Sequence, residues 1–302
     1  MPLPLGELAA LGTACCWTAS SLAFSAAGRR MGSLSLNLVR LVIAFCLLAI
    51  LGLVRRGQPL PLDASPRTWG WLLASGFVGY VLGDICLFRA FVIIGPRLSM
   101  LLMALAPPIA AVLGFFFLNE RISTLGLVGM AVTIAGVVWV VRERPDSSAT
   151  NHTEAKGDTL RQGILLGLGA ALGQAGGMAL GKIGMGNYDP VASGQIRVLA
   201  GVLGFSAVFF IVGWWGKTRD AIRDKTALGY ASIGAFMGPV LGVTLSLFAV
   251  QHTETGVAAT IMSTTPVLLI PVVVLARLEK VTLRAGLGAL IAVIGVAMLW
   301  VR

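Results

Sequence analysis

Ten stretches of about 20 mainly apolar residues follow one another along the chain, near 5–26, 34–54, 69–93, 98–118, 123–141, 162–181, 191–213, 228–250, 257–276 and 283–301. About 20 residues of helix cross the ~30 Å hydrocarbon core of a bilayer. In lipid the backbone must satisfy its own hydrogen bonds, which leaves helices or a closed barrel. These runs are longer than barrel strands and lack their alternation of apolar and polar residues, so they are read as helices. Composition agrees: 57% of the residues are apolar and only 12% charged, against about 25% charged in a soluble domain. The expected fold class is an all-α membrane protein with ten transmembrane helices.

A cleaved signal peptide would carry a basic region ahead of its apolar run. Here the first charge is Glu7 and the first base is Arg29, so the first span is expected to be retained. Cys15, Cys16, Cys46 and Cys86 fall inside spans without ligand spacing and are read as small packing residues. The net charge of +10 suits a surface of anionic lipid. No basic patch interleaved with aromatics points to nucleic acid. The expected partners are a small-molecule substrate and membrane lipid, with the chain acting as a monomer and needing no cofactor or metal.

The halves of the chain repeat. Glu120–Arg121 and Glu279–Lys280, acid before base, each sit between two apolar runs, and the glutamates are 159 positions apart. At that offset Ser75, Gly79 and Gly83 fall on Gly234, Gly238 and Gly242, Met103 on Met262, Pro107 on Pro266, Gly129 on Gly288 and Gly136 on Gly295. Earlier in the chain the offset is 157, with Gly6 on Gly163, Gly12 on Gly169 and Arg40 on Arg197. The chain therefore divides into a first five-helix repeat (1–141), a polar linker (142–161) and a second five-helix repeat (162–302). Each acid–base pair is read as a short turn between the fourth and fifth helix of its repeat. An odd number of spans brings the second copy into the membrane from the opposite side. The halves are then related by a pseudo-two-fold axis in the membrane plane around a central cavity, an architecture of many secondary transporters.

The repeated pattern is carried by Pro107, Asn119–Glu120–Arg121, Gly126, Gly129 and Gly136, and again by Pro266, Leu278–Glu279–Lys280, Gly288 and Gly295. It resembles the drug/metabolite transporter superfamily, EamA-type, over essentially the whole chain. The stretch GYVLGDICLFRAF (79–91) is similar to the third helix of bacterial aromatic amino acid exporters. Ala106 stands where members of that group carry an aromatic residue, so a strictly aromatic substrate does not follow. The resemblance implies a ten-helix transporter of the bacterial inner membrane that exports amino acids or similar small metabolites. It also implies cytoplasmic termini. The bases concentrate instead on odd-numbered loops, for example Arg29, Arg30, Lys217 and Arg219, and counting them puts both termini outside.

Several residues are candidates for the transport path. Pro107–Pro108 and Pro266 interrupt helices four and nine at matching places. A proline removes a backbone donor and frees the carbonyl four residues before it, here those of Met103 and Met262. Paired breaks at corresponding places point to a central site, although a simple kink is the alternative. Asp84 is the lone acid deep in a span, with Tyr80 one turn earlier on the same face. An intramembrane carboxylate costs roughly 2.5–3.5 kcal/mol on insertion scales and should face the interior. Its counterpart is Val243. Trp17, Gln174 and Met178 are further candidates for lining a mostly apolar cavity built from helices one, three, four, six, eight and nine. Arg40 and Arg197 lie near helix starts, where long basic side chains snorkel to the interface, with carboxylate binding as the alternative. The ladders Ser75–Gly79–Gly83 and Gly234–Gly238–Gly242 serve either static packing or a moving seam.

The function expected is secondary export of amino acids or similar zwitterions by alternating access. An exchanger of anionic metabolites, such as nucleotide sugars or phosphate esters, would want more inward bases. A non-transporting scaffold would have no need of paired proline breaks. No nucleophile–base pair, metal cluster or phosphate loop suggests an enzyme.

Overall fold

A computed structural model describes residues 5–118, 124–142, 157–252, 261–276 and 281–298. The pairs Glu120–Arg121 and Glu279–Lys280, and most of the 142–161 linker, lie outside the described residues. Among the described residues the chain is helical, with no strand. Helix α1 is Leu5–Met31 and α2 is Ser33–Arg56, with Gly32 alone between them. Helix α3 starts at Pro66, after the N-cap Ser65, and runs to Gly95. Helix α4 begins at Pro96, breaks at Ala104–Leu105 and resumes as Ala106–Leu118. Gly32 (φ 79°, ψ 150°) and Gly95 (φ 78°, ψ 167°) take a backbone conformation open to glycine and strained for other residues, which lets one residue end a helix and start the next.

Helix α5 is Thr124–Arg142, α6 is Gly157–Met185 and α7 is Pro190–Val212. A short surface helix, Trp215–Arg223, leads into α8, which is built from Lys225–Ala235, a π turn over Phe236–Gly242 and Val243–His252. Helix α9 is Thr265–Leu275 and α10 is Leu283–Met298. Among the described residues seven helical runs are long and apolar enough to cross a membrane, and Ala106–Phe116, Thr265–Leu275 and Leu283–Met298 are shorter apolar helices.

The packing is that of two inverted repeats. Helix α6 lies along α3, and the repeat-equivalent α1 lies along α8. Helices α5 and α10, equivalents of each other, pack together, as do α2 and α7. On the α5–α10 seam a methyl on Gly136 would meet the Ala292 nitrogen at 2.5 Å and the Gly288 carbonyl at 2.7 Å. A methyl on Gly295 would meet Thr133 and, at 2.6 Å, the Gly129 carbonyl. Exchanging the halves turns each of these contacts into the other. Partners rise on α5 as they fall on α10, so the two equivalent helices run antiparallel and the second repeat is upside down.

The small-residue ladders sit at the other two seams. Gly79 faces Gly177, and Gly83 faces Gly173, across α3–α6. Ser75 Oγ donates to the Gly177 carbonyl at 2.5 Å. Across α1–α8, Gly234 meets Phe24, Gly238 meets Ser20 and Gly242 meets Trp17. Ser20 Oγ donates to the Gly234 carbonyl at 3.2 Å. Lipid tails are as apolar as leucine, so close van der Waals approach across small residues does much of the work of holding membrane helices together. Larger side chains fill the space between seams, with Leu38, Leu41, Phe205 and Phe209 packed between α2 and α7.

Candidate functional site

Helices α3 and α8 each widen into a π turn at the same repeat position, Phe77–Gly83 and Phe236–Gly242. Such turns are rare and often occur at functional sites. Pro239, which cannot donate to the helical ladder, occupies the second turn where Tyr80 occupies the first. Asp84 follows the first π turn directly and is buried. Its carboxylate pairs with the Arg40 guanidinium, and the two side chains are 12% and 4% exposed. Arg40 Nε donates to Asn37 Oδ1 at 3.1 Å, and Asn37 Nδ2 donates to the Asp84 carbonyl at 3.3 Å. The guanidinium lies 4.4 Å from the Phe88 ring centre and 5.4 Å from that of Phe24. Arg40 therefore does not snorkel. A carboxylate, an amide and two aromatic faces hold it inside, where an unpaired charge would be very costly.

Arg197, its repeat equivalent on α7, is arranged differently. Its guanidinium lies 5.3 Å from the Tyr80 ring centre. Its Nε is buried and has no hydrogen-bond partner among the described residues. Arg197 is near enough to interact with Asp84 through space, but Asp84 makes its hydrogen bond and ion pair with Arg40.

The helix breaks match residue for residue. Ala104–Leu105 before Ala106 corresponds to Ser263–Thr264 before Thr265. In the second half Thr265 Oγ1 donates to the Met262 carbonyl at 2.8 Å. Ala106 has no hydroxyl to do the same, and outside its own helix no donor among the described residues reaches the Met103 carbonyl.

The halves also pack unequally among the described residues. The segment of α3 after its π turn packs against α1 and α2. The equivalent segment of α8, Val243–His252, packs against α1 and its own π turn and makes no comparable contact with α6 or α7 among the described residues. At the ends of the bundle two polar contacts tie the repeats together. Arg30 Nε donates to Asp224 at 2.8 Å, and this bond holds the Asp224 carboxyl below the usual carboxylate range. Tyr188 Oη donates to Asp63 at 2.8 Å, which together with Arg56 lowers the Asp63 carboxyl in the same way.

Of the residues singled out from sequence, Tyr80 and Asp84 come together with Arg40 and Arg197. Trp17 lies on the α1–α8 seam beside Gly242, and Gln174 follows Gly173 at the α3–α6 seam. Met103 with Pro107, and Met262 with Pro266, flank the two breaks, and Met262 packs against Ala9, Ala10 and Ala249. Met178 is 44% exposed. A wholly apolar cavity of about 720 Å³ lies between α4, α5 and α6, lined among others by Leu105, Val112, Ile134 and Leu168. None of the nine lining candidates borders it. Sequence reasoning missed Asn37, Phe24 and Phe88. Asn37 carried a signal, since it is the asparagine inside a span and lies three residues before Arg40, on the same helix face.

A solved crystal structure shares the fold, with a TM-score of 0.62 at 16% identity, covering 97% of this chain and 95% of the other. A probable magnesium transporter of Candida albicans is 31% identical over 102 residues, which take in 33% of this chain and only 26% of that relative. The sequence profile of EamA-like transporters matches residues 4–142 and again residues 161–301. With nearly every residue of both repeats inside that match, the chain belongs to the EamA-like transporter family.

Proposed function

We propose that this membrane transporter exports amino acids, or similar small zwitterionic metabolites, across the bacterial inner membrane by alternating access. The observation that carries the reading is the unequal closure of equivalent parts. The second segment of α3 is packed on α1 and α2, while Val243–His252, among the described residues, makes no comparable contact with α6 or α7. Two inverted copies of one fold, held in unlike conformations, make a protein closed on one side and parted on the other. Exchange of the two conformations opens the opposite side.

The charge of the interior supports a zwitterion. The cluster of Arg40, Asp84 and Arg197 is one positive charge in excess, which suits a single carboxylate better than a phosphate ester. The carbonyl at the Met103 break can accept from an ammonium group. Magnesium, named for the fungal relative, would require acidic ligands, and the buried Asp84 is paired with Arg40. The test is uptake into proteoliposomes of labelled methionine, threonine and phenylalanine beside a sugar phosphate. Saturable flux of an amino acid is expected. Flux of the sugar phosphate with none of the amino acids would reject the reading.

A further inference from the structure

The geometry points to Arg197 as the anchor for the substrate's carboxylate, at a position where one repeat has lost the partners that its twin retains. The inference rests on the amino-acid reading above and narrows it to one residue. Three of the four groups that satisfy Arg40 can be followed to their repeat equivalents. Asn37, which accepts from Arg40 Nε, corresponds to Gly194, which has no side chain to offer Arg197. Asp84, which forms the ion pair, corresponds to Val243. Phe24, whose ring lies 5.4 Å from the Arg40 guanidinium carbon, corresponds to Gly181, where an added methyl would stand 3.8 Å from the Arg197 guanidinium carbon. The substitutions remove an acceptor, a charge and a ring from the same locality.

The consequence is visible in the orphaned Nε of Arg197. A buried donor left unmade costs more than a typical hydrogen bond contributes, and more still when it is charged. The Tyr80 face offsets part of that cost but accepts no in-plane hydrogen bond. A carboxylate fits what remains, because a guanidinium presents parallel N–H donors that match its two oxygens. Helix α7, which carries Arg197, is one of the helices with which Val243–His252 makes no contact, among the described residues, comparable to that of its twin segment on α2.

The experiment compares thermal stabilisation of the purified full chain by methionine, by methioninamide, which lacks the carboxylate, and by acetate. Wild-type protein is expected to respond to methionine and to acetate but not to methioninamide. Arg197→Gln should raise the methionine midpoint by about tenfold or more, the value of a lost charge-assisted hydrogen bond. Should Arg197→Gln not fold, Arg197→Lys retains the charge without the paired donors and should still raise the midpoint. Val243→Asp, which restores the missing acid, should abolish the response to acetate. A wild-type response to acetate that Arg197→Gln removes, with no amino acid bound, would uphold the carboxylate site while refuting the amino-acid reading. Equal responses of wild type and Arg197→Gln, equal stabilisation by methioninamide and methionine, or no response to any carboxylate would each overturn the inference.

Discussion

Asp84 is legible in sequence as the acid deep inside a span, but its partner is not. Arg89 is nearer along the chain, yet five residues is a poor spacing for a pair on one helix face, and Arg89 is exposed. The partner is Arg40, 44 positions away on another helix, and only the approach of α2 to α3 brings it there. Removing one member of a buried ion pair strands the other and costs about 3–5 kcal/mol, whereas replacing both with apolar residues is close to neutral. Asp84→Asn is therefore expected to lower the melting temperature of the detergent-solubilised protein clearly. The double variant Arg40→Leu/Asp84→Leu should recover most of the loss. A melting curve for Asp84→Asn that overlays the wild type would remove the pair from the account of stability.

Each helix has its own fit to its neighbours. Gly136 and Gly295 are repeat equivalents on the seam where α5 and α10 meet, and backbone atoms occupy the space a methyl would need. Backbone cannot turn aside as a side chain can, so Gly136→Ala should separate the seam at a cost of roughly 1–3 kcal/mol. Gly70, in the first turns of α3, has nothing within 4 Å of an added methyl. Gly70→Ala should be neutral or stabilising by up to about 1 kcal/mol, because alanine loses less backbone entropy in a helix. Thermal melts of the two variants side by side check both expectations, and a harmless Gly136→Ala would show that the seam yields. The glycine ladders were readable as close-packing faces from their spacing alone. Their partners were not, since sequence spacing does not say which helix a face will meet. The π turns were also hidden, apart from Pro239 in the middle of an apolar run.

At the scale of the molecule, the unlike closure of the halves predicts unlike cross-linking. In a variant with all four native cysteines replaced by serine, the Phe24→Cys/Phe88→Cys pair replaces rings whose centres are 5.1 Å apart. A short bifunctional thiol reagent should join that pair quickly and arrest transport. The equivalent pair Gly181→Cys/Leu247→Cys should react several-fold more slowly, and equal rates would argue against an asymmetric resting state. The sequence by itself determined the membrane class, the ten spans, the tandem repeat and, through the odd number of spans per repeat, the inversion of the second half. Those conclusions rest on local rules, because a helix in lipid satisfies its own backbone and needs only length and apolar side chains. The tertiary structure alone decided which base neutralises Asp84, that Arg197 Nε lacks a partner among the described residues, and which helices the segments after the two π turns meet. Two repeats with nearly the same pattern of spans do not say which half will make which of these contacts. The choice falls to contacts between helices far apart in the chain, where Asn37 and Asp84 hold Arg40 in one half and Gly194 and Val243 leave Arg197 in the other without their counterparts.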